Sequence, residues 1–307
     1  MIVMENKTLE IVKRDNLVEF KEKIEELYFR VPINDIIMKI VEGLHKIKNC
    51  EIEEYSHELK YELTVEERIR AEPIDCRFST IEELRSAISS SQIQLFIYLL
   101  SVWQENGGAN EFFLEAKDYF SKRGIAVRKA SKDRLERDLA VLSTVSIQLQ
   151  AKNKKQVEYI DSQLIDYEKI SQGFYKICFG SWIEHISYGT FTLLHKNFFK
   201  YHPGHDSVAI LLSLKLSQLA KLQFPKPLTS YSLKFHTLFT LIGISECQIR
   251  KQGYKYYFYK LESVFQRMQV EMGFSIKIER QEGSLTMFMQ NKLYYEQSDL
   301  KQFYKKK

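Results

Sequence analysis

Residues 91–160 read SQIQLFIYLLSVWQENGGANEFFLEAKDYFSKRGIAVRKASKDRLERDLAVLSTVSIQLQAKNKKQVEYI, and the fold is decided there. Gln92 to Asn106 carries Leu95, Phe96, Leu99, Leu100, Val102 and Trp103. A helix so apolar around its circumference belongs inside a core. Gly107 and Gly108 end it. Phe112 to Leu114 is a short strand, and Glu115 to Arg123 a short helix stopped at Gly124. Ser131 is placed to cap a further helix reaching about Leu142, in which Leu135, Leu139 and Leu142 form one buried stripe. Ser146 to Gln150 and Val157 to Ile160 alternate apolar and polar residues about a Lys-rich turn, which predicts a β-hairpin.

Helix, strand, helix, helix, hairpin is the order of a winged helix, a helix-turn-helix with a hairpin wing. The order returns further on. Val208 to Leu222 is an apolar helix ended by Pro225 and Pro227. Thr229 can cap a helix through Leu233, Leu238 and Leu241, stopped by Gly243. Tyr256 to Met272 is another helix, and Phe274 to Glu279 with Leu285 to Met289 makes a second hairpin. Phe174 to Phe179 and Thr190 to Leu194 read as strands between the two series. The expected fold class is α+β, mostly helical, with tandem winged-helix domains at 91–170 and 171–307. Residues 1–90 are expected to be mainly helical, with Asn34 capping a helix through Leu44. Cys50 to Leu63 has room for a strand or two, and Ser79 or Thr80 for the cap of a short helix.

The chain has 307 residues, enough for about two domains. Its 20 Phe and 18 Tyr supply a sizeable core, and 12 Gly with 5 Pro are too few for a disordered chain. No uncharged apolar run approaches the ~18 residues of a membrane span, and residues 1–14 lack a signal-peptide core. Four dispersed cysteines without a Cys-x-x-Cys pair point to a reducing cytoplasm and away from disulfides or a Cys-based zinc site. Residues 1–90 hold 14 Lys and Arg against 20 Asp and Glu, and residues 91–307 hold 31 against 20. A basic part in a chain of net charge +5 suggests a polyanionic partner.

On the third helix of the first series, Lys129, Arg134 and Arg137 project away from the leucine stripe at ~100° per residue, with Lys132 at its edge and Asp133 and Asp138 diluting the charge. On the corresponding helix of the second series, Leu261, Phe265, Met268 and Met272 line one face while Lys260, Ser263, Gln266 and Arg267 point the other way. Such side chains reach phosphates and base edges of duplex DNA. Arg250, Lys251 and Lys255 lead into that helix beside Tyr256, Tyr257 and Tyr259, rings equally suited to the core. The wing turn offers Lys152, Lys154 and Lys155. An ordinary solvated face is the plain alternative for each set.

Motifs for chemistry are missing. There is no G-x-x-x-x-G-K-[ST], no G-x-G-x-x-G and no H-E-x-x-H, so neither a cofactor nor a metal is expected, and no catalytic residue is assigned. His202 and His205 in His-Pro-Gly-His read as a turn before a helix. A single-strand nicking enzyme would need His-x-His with a catalytic Tyr, and no His-x-His occurs.

Two stretches resemble plasmid replication initiators built from two winged-helix domains. One is Leu95 to Gln150, with Phe-Leu-Glu-Ala-Lys-Asp-Tyr-Phe at 113–120 and Lys-Asp-Arg-Leu-Glu-Arg-Asp-Leu-Ala-Val-Leu-Ser at 132–143. The other is Phe199 to Ile244, with Tyr-His-Pro at 201–203 and Leu-Phe-Thr-Leu-Ile-Gly-Ile at 238–244. The resemblance implies binding of repeated duplex DNA sites by both third helices, a dimer-to-monomer switch, and recruitment of host replication proteins. Residues 1–90 have no counterpart in it and are read as a partner or oligomerisation module. A winged-helix transcriptional regulator, or an interaction protein whose winged helices bind protein, would share the same pattern. If the wing tip touches phosphates, Lys154→Ala weakens binding to cognate and random duplexes alike, whereas Arg267→Ala, if Arg267 reads a base, costs about 1–3 kcal/mol on the cognate site only. Titration of each variant with both duplexes checks this.

Overall fold

The computed structural model describes residues 26–49, 61–65, 74–79, 88–153, 156–189, 191–222, 229–234, 239, 242, 244, 246–272, 274–281 and 284–291. Strand β1 (Tyr28–Val31) runs antiparallel to a late strand, β9 (Thr192–His195), so the early chain is stitched to its middle. After Pro32, Asn34 Oδ1 accepts the Ile37 N–H at 2.9 Å and starts α1 (Asp35–Asn49), which buries Ile36, Ile37, Ile40, Val41 and Leu44. Strands β2 (Tyr61–Val65) and β3 (Ile74–Ser79) follow. The described part of residues 1–90 thus holds one long helix and three strands, and the rest of the segment expected to be mainly helical lies outside the described residues. Tyr61 to Leu63 begins β2, while residues 50–60 and the Thr80 cap lie outside the described residues. Ser79 ends a strand.

Helix α2 (Ser90–Glu105) is buried without a break from Ser90 to Ser101. Ser89 Oγ accepts the Ser91 N–H and Gln92 Oε1 accepts the Ser89 N–H at 2.6 Å, a reciprocal capping box. Then come β4 (Glu111–Glu115) and α3 (Ala116–Arg123), closed by Gly124 at φ 65°, a left-handed position suited to glycine. Helix α4 spans Lys129–Ser143. It begins before Ser131, because the Ser131 hydroxyl donates to Ala126 O at 3.1 Å across the entry turn and caps nothing.

Strands β5 (Ser146–Asn153) and β6 (Gln156–Gln163) form the expected hairpin in the register Ser146↔Gln163. β3 and β2 extend it into a four-stranded antiparallel sheet, so chain from before residue 90 builds on the hairpin. β7 (Ile165–Ser171) and β8 (Phe174–Phe179) pair with each other, and β8 with β4. The line drawn at residue 170 therefore falls within a hairpin. β4 joins β8 and not β5–β6.

Helix α5 (Ser207–Leu222) is followed by β10 (Thr229–Lys234), a strand where a Thr229-capped helix was expected. Thr229, Tyr231 and Leu233 alternate with Ser230, Ser232 and Lys234, and this period of two lets the segment pair with a late strand. Helices α6 (Glu246–Gln252) and α7 (Tyr254–Met272) lead to the hairpin β11 (Phe274–Gln281) and β12 (Ser284–Asn291), and β10 pairs with β12. One contiguous apolar core runs from Phe29 to Met268. Among the described residues, no helix is long and apolar enough to cross a membrane.

A 3₁₀ turn at Ser181–His185 seats Trp182 in the core, its indole N–H donating to Leu164 O at 2.8 Å. Gly180 makes this possible: a Cβ there would lie 1.9 Å from Gln163 O. Gly180→Ala is expected to cost about 1–3 kcal/mol through overpacking alone, since its φ of −65° suits alanine. An unchanged urea midpoint would refute that close approach.

Candidate nucleic-acid interface

Leu135, Leu139 and Leu142 are buried under α4, and Lys129, Arg134 and Arg137 stand exposed on its outer side, with Lys132 half-buried. Arg134 and Arg137 make no ion pair or hydrogen bond with a described residue. Together with Ser89, Gln92, Ala130 and Asp133 they bound a cleft of about 550 Å³.

Asp138 departs from expectation. It is 5% exposed, and its carboxylate accepts from Ser91 Oγ at 2.6 Å and from Gln92 Nε2 at 2.7 Å. Burial pushes its carboxyl up from the usual range, outweighing the Ser91 hydrogen bond and the nearby Arg134, Arg123 and Arg137. Its placement follows from spacing: three residues beyond Leu135 is about 60° from that leucine around the helix. The acid fastens α4 to the first turn of α2.

On α7, Leu261, Phe265 and Met268 are buried, and Lys260, Ser263 and Gln266 are exposed. The Met272 side chain lies outside the described ones. Arg267 is engaged within the fold: its guanidinium pairs with Asp206 Oδ1 at 2.9 Å and lies 5.1 Å over the Tyr201 ring. Arg250 and Lys251, at the end of α6, are exposed, and Lys255 lies 5.9 Å over the Tyr259 ring. Tyr257 is buried against Phe239, while Tyr256 and Tyr259 face solvent. Lys152 belongs to β5, but its side chain is outside the described ones. Lys154 and Lys155 lie outside the described residues.

His202 and His205 form the expected turn. Their rings stack at 4.7 Å, His202 Nδ1 accepts the Gly204 N–H, and Asp206 Oδ2 accepts the His202 N–H at 2.8 Å. Among the described residues, no group of three His, Cys, Asp or Glu side chains is placed to hold a metal.

A second cleft, about 280 Å³, opens among α1, α2, α5 and α7, with Ser89, Ser90, Ser207 and Lys260 on its walls. Ser89 lines both clefts. Arg134 and Arg137 therefore stand on one side of the first turn of α2, and Lys260 on the other. Sequence reasoning missed this turn, although Ser89-x-x-Gln92 is a capping-box signature.

No family model matches the chain, and no curated protein matches it. The fold belongs to the α+β class. Among solved structures, the chain is similar to domains 2 and 3 of RctB in a selenomethionine crystal form, at 10% identity and a TM-score of 0.51, over 80% of this chain and 95% of that one. A crystal structure of RctB 155–483, domains 2–3, aligns over the same shares at 9% identity and a TM-score of 0.47. The first likeness shows a shared fold over most of the chain.

Because burial raises the Asp138 pKa in the fold, its contribution to stability is full below the ordinary aspartate value of about 3.9 and is lost as pH rises through the elevated folded value. Asp138→Asn should therefore gain stability relative to the native chain between about pH 4 and about pH 7. Urea unfolding at both pH values measures this, and a flat or falling difference would refute it.

Proposed function

We propose that the chain is a non-enzymatic, sequence-specific double-stranded DNA-binding protein of the replication-initiator kind. In this reading the α2–β6 and α5–β12 series act as winged helices, with α4 and α7 as their reading helices. The observation that carries it is that Arg134 and Arg137 of α4 and Lys260 of α7 line two clefts that meet at Ser89, the cap of α2. Cations on both sides of a helix N-terminus suit a phosphate backbone, which supplies most of the affinity, while Arg134, Arg137, Ser263 and Gln266 have the chemistry to read bases. The basic excess beyond residue 90 and the two initiator-like stretches support the same reading, and the likeness to domains 2 and 3 of RctB supports a fold of this kind. Arg267, held by Asp206, is assigned to positioning the 201–206 turn, so its loss acts on every sequence alike.

Phe113, 56% exposed and stacked on Phe174 at 5.2 Å, marks the outer face of the β4–β8–β7 sheet. It favours a protein partner in addition to DNA, either a second copy or a host replication protein.

Selection of bound fragments from random and genomic duplexes at about 150 mM salt tests the DNA reading. One motif repeated at a single locus is expected; short palindromes at promoters would indicate a transcriptional regulator, and no enrichment would overturn DNA recognition. Arg134→Ala and Arg137→Ala should each cost about 1–3 kcal/mol on the selected site and relax its sequence. Equal losses on random DNA would remove both from base reading.

A further inference from the structure

Helices α2 and α5, each of 16 residues, both begin at the smaller cleft, with Ser89 and Ser90 from one and Ser207 from the other on its walls. The first turn of each helix carries the positive end of a dipole, and in α2 the Ser89 cap already takes the Ser91 N–H. Two such ends at one cleft make a strongly anion-favouring place. Ser90 adds an independent sign. It is 6% exposed and lies on the cleft wall, and its hydroxyl has no hydrogen-bond partner among the described residues. A hydroxyl that opens on the cleft without a protein partner can donate to an anionic oxygen.

Lys260 stands exposed on the same wall and makes no ion pair or hydrogen bond with a described residue. No described Asp or Glu lines the cleft. Asp206, just before α5, is turned to Arg267 and to the His202 N–H. Leu44, Ile88 and Ile244 supply apolar wall, where reduced hydration strengthens every polar contact.

We infer that this cleft is a phosphate-binding site, formed by the first turns of α2 and α5 with the Ser90 hydroxyl and the Lys260 ammonium as direct ligands. Its volume of about 280 Å³ accepts a phosphate or diphosphate group. The group can come from a duplex backbone or from a free phosphate compound, and the chemistry of the site is the same for both. The site rests on the cleft itself and stands whether or not α4 reads DNA.

The probe is inorganic pyrophosphate, added to the full chain at ionic strength matched with sodium chloride and followed by thermal unfolding. A saturable rise in melting temperature is expected. Lys260→Ala should weaken it about tenfold or more, as loss of a charge-assisted contact does. Ser90→Asp puts a carboxylate where the anion would sit, in a first turn whose dipole favours it, and should abolish the rise. Ser90→Ala, which removes only the hydroxyl, should weaken it.

Displacement of pyrophosphate by random duplex, with a salt slope lowered by about one in Lys260→Ala, supports the site and identifies the source as a DNA backbone phosphate. Undiminished pyrophosphate binding in the presence of duplex supports it and identifies a free phosphate compound. Arg134→Ala separates this from the DNA reading, since it should weaken duplex binding and leave the pyrophosphate response intact. No saturable response, together with an unchanged salt slope in Lys260→Ala, overturns the site.

Discussion

Helix α2 is closed to solvent along its first three turns, and its polar side chains reach into the protein for partners. Ser91 and Gln92 are answered by Asp138 on α4. Gln94 donates through Nε2 to Phe198 O at 2.9 Å and to Tyr201 O at 3.0 Å, reaching the segment that leads into α5. Within a single helical turn, α2 therefore fastens α4 and the entry to the second series. Rotation of α2 would break both sets of bonds, and the relative placement of α4 and α7 depends on that turn.

Aromatic packing holds the helix against such rotation. Phe96 meets Phe179 and Trp182, with ring centroids at 6.2 and 5.9 Å. Tyr98 meets Tyr119 on α3 and Phe199 beyond β9. Burial and the surrounding acids raise the Tyr98 hydroxyl well above the ordinary tyrosine pKa, and burial is the first cause of the upward push on Tyr119, to about 12. Both therefore stay neutral at any physiological pH. The rings come from β8, the turn after it, α3 and the 196–200 turn, so the sheet face and the helices share one core. The Arg267–Asp206 pair extends the same logic to α7, tying it to the loop that Gln94 holds from the other side.

Local signals carried most of the helices. The caps at Asn34 and Gly124, the leucine stripe of α4 and the hairpin turns all lie within a few residues of what they specify. Thr229 to Lys234 shows where that fails: Leu238 and Leu241 suggested a helical period, while the alternation inside the segment had already set the strand. The pairing of β3 with β5 and of β1 with β9 joins residues far apart in sequence, and no local pattern encodes such partners. The candidate interface divides in the same way. The outward faces of Arg134, Arg137, Lys260, Ser263 and Gln266 follow from helical spacing. The diversion of Arg267 to Asp206 and the burial of Asp138 depend on what stands opposite in three dimensions.

The charge around the first turn of α2 runs against what stability alone would select. A helix N-terminus favours acids and is unfavourable to cations, by roughly 0.3–1 kcal/mol for each exposed charge. The turn at Ser89–Gln92 instead has Arg134 and Arg137 on one side and Lys260 on the other. Of the two acids on the Arg134 side, Asp133 is exposed, and Asp138 is buried against Ser91 and Gln92, where burial favours its neutral form and weakens the compensation it could provide. Local rules broken with only a partial internal remedy are characteristic of functional surfaces. The proposed phosphate site would put a negative group at the start of α2, between α4 and α7. An anion bound there would relieve the repulsion among the three cations, so the same cost that burdens the unliganded fold becomes a preference for the bound one.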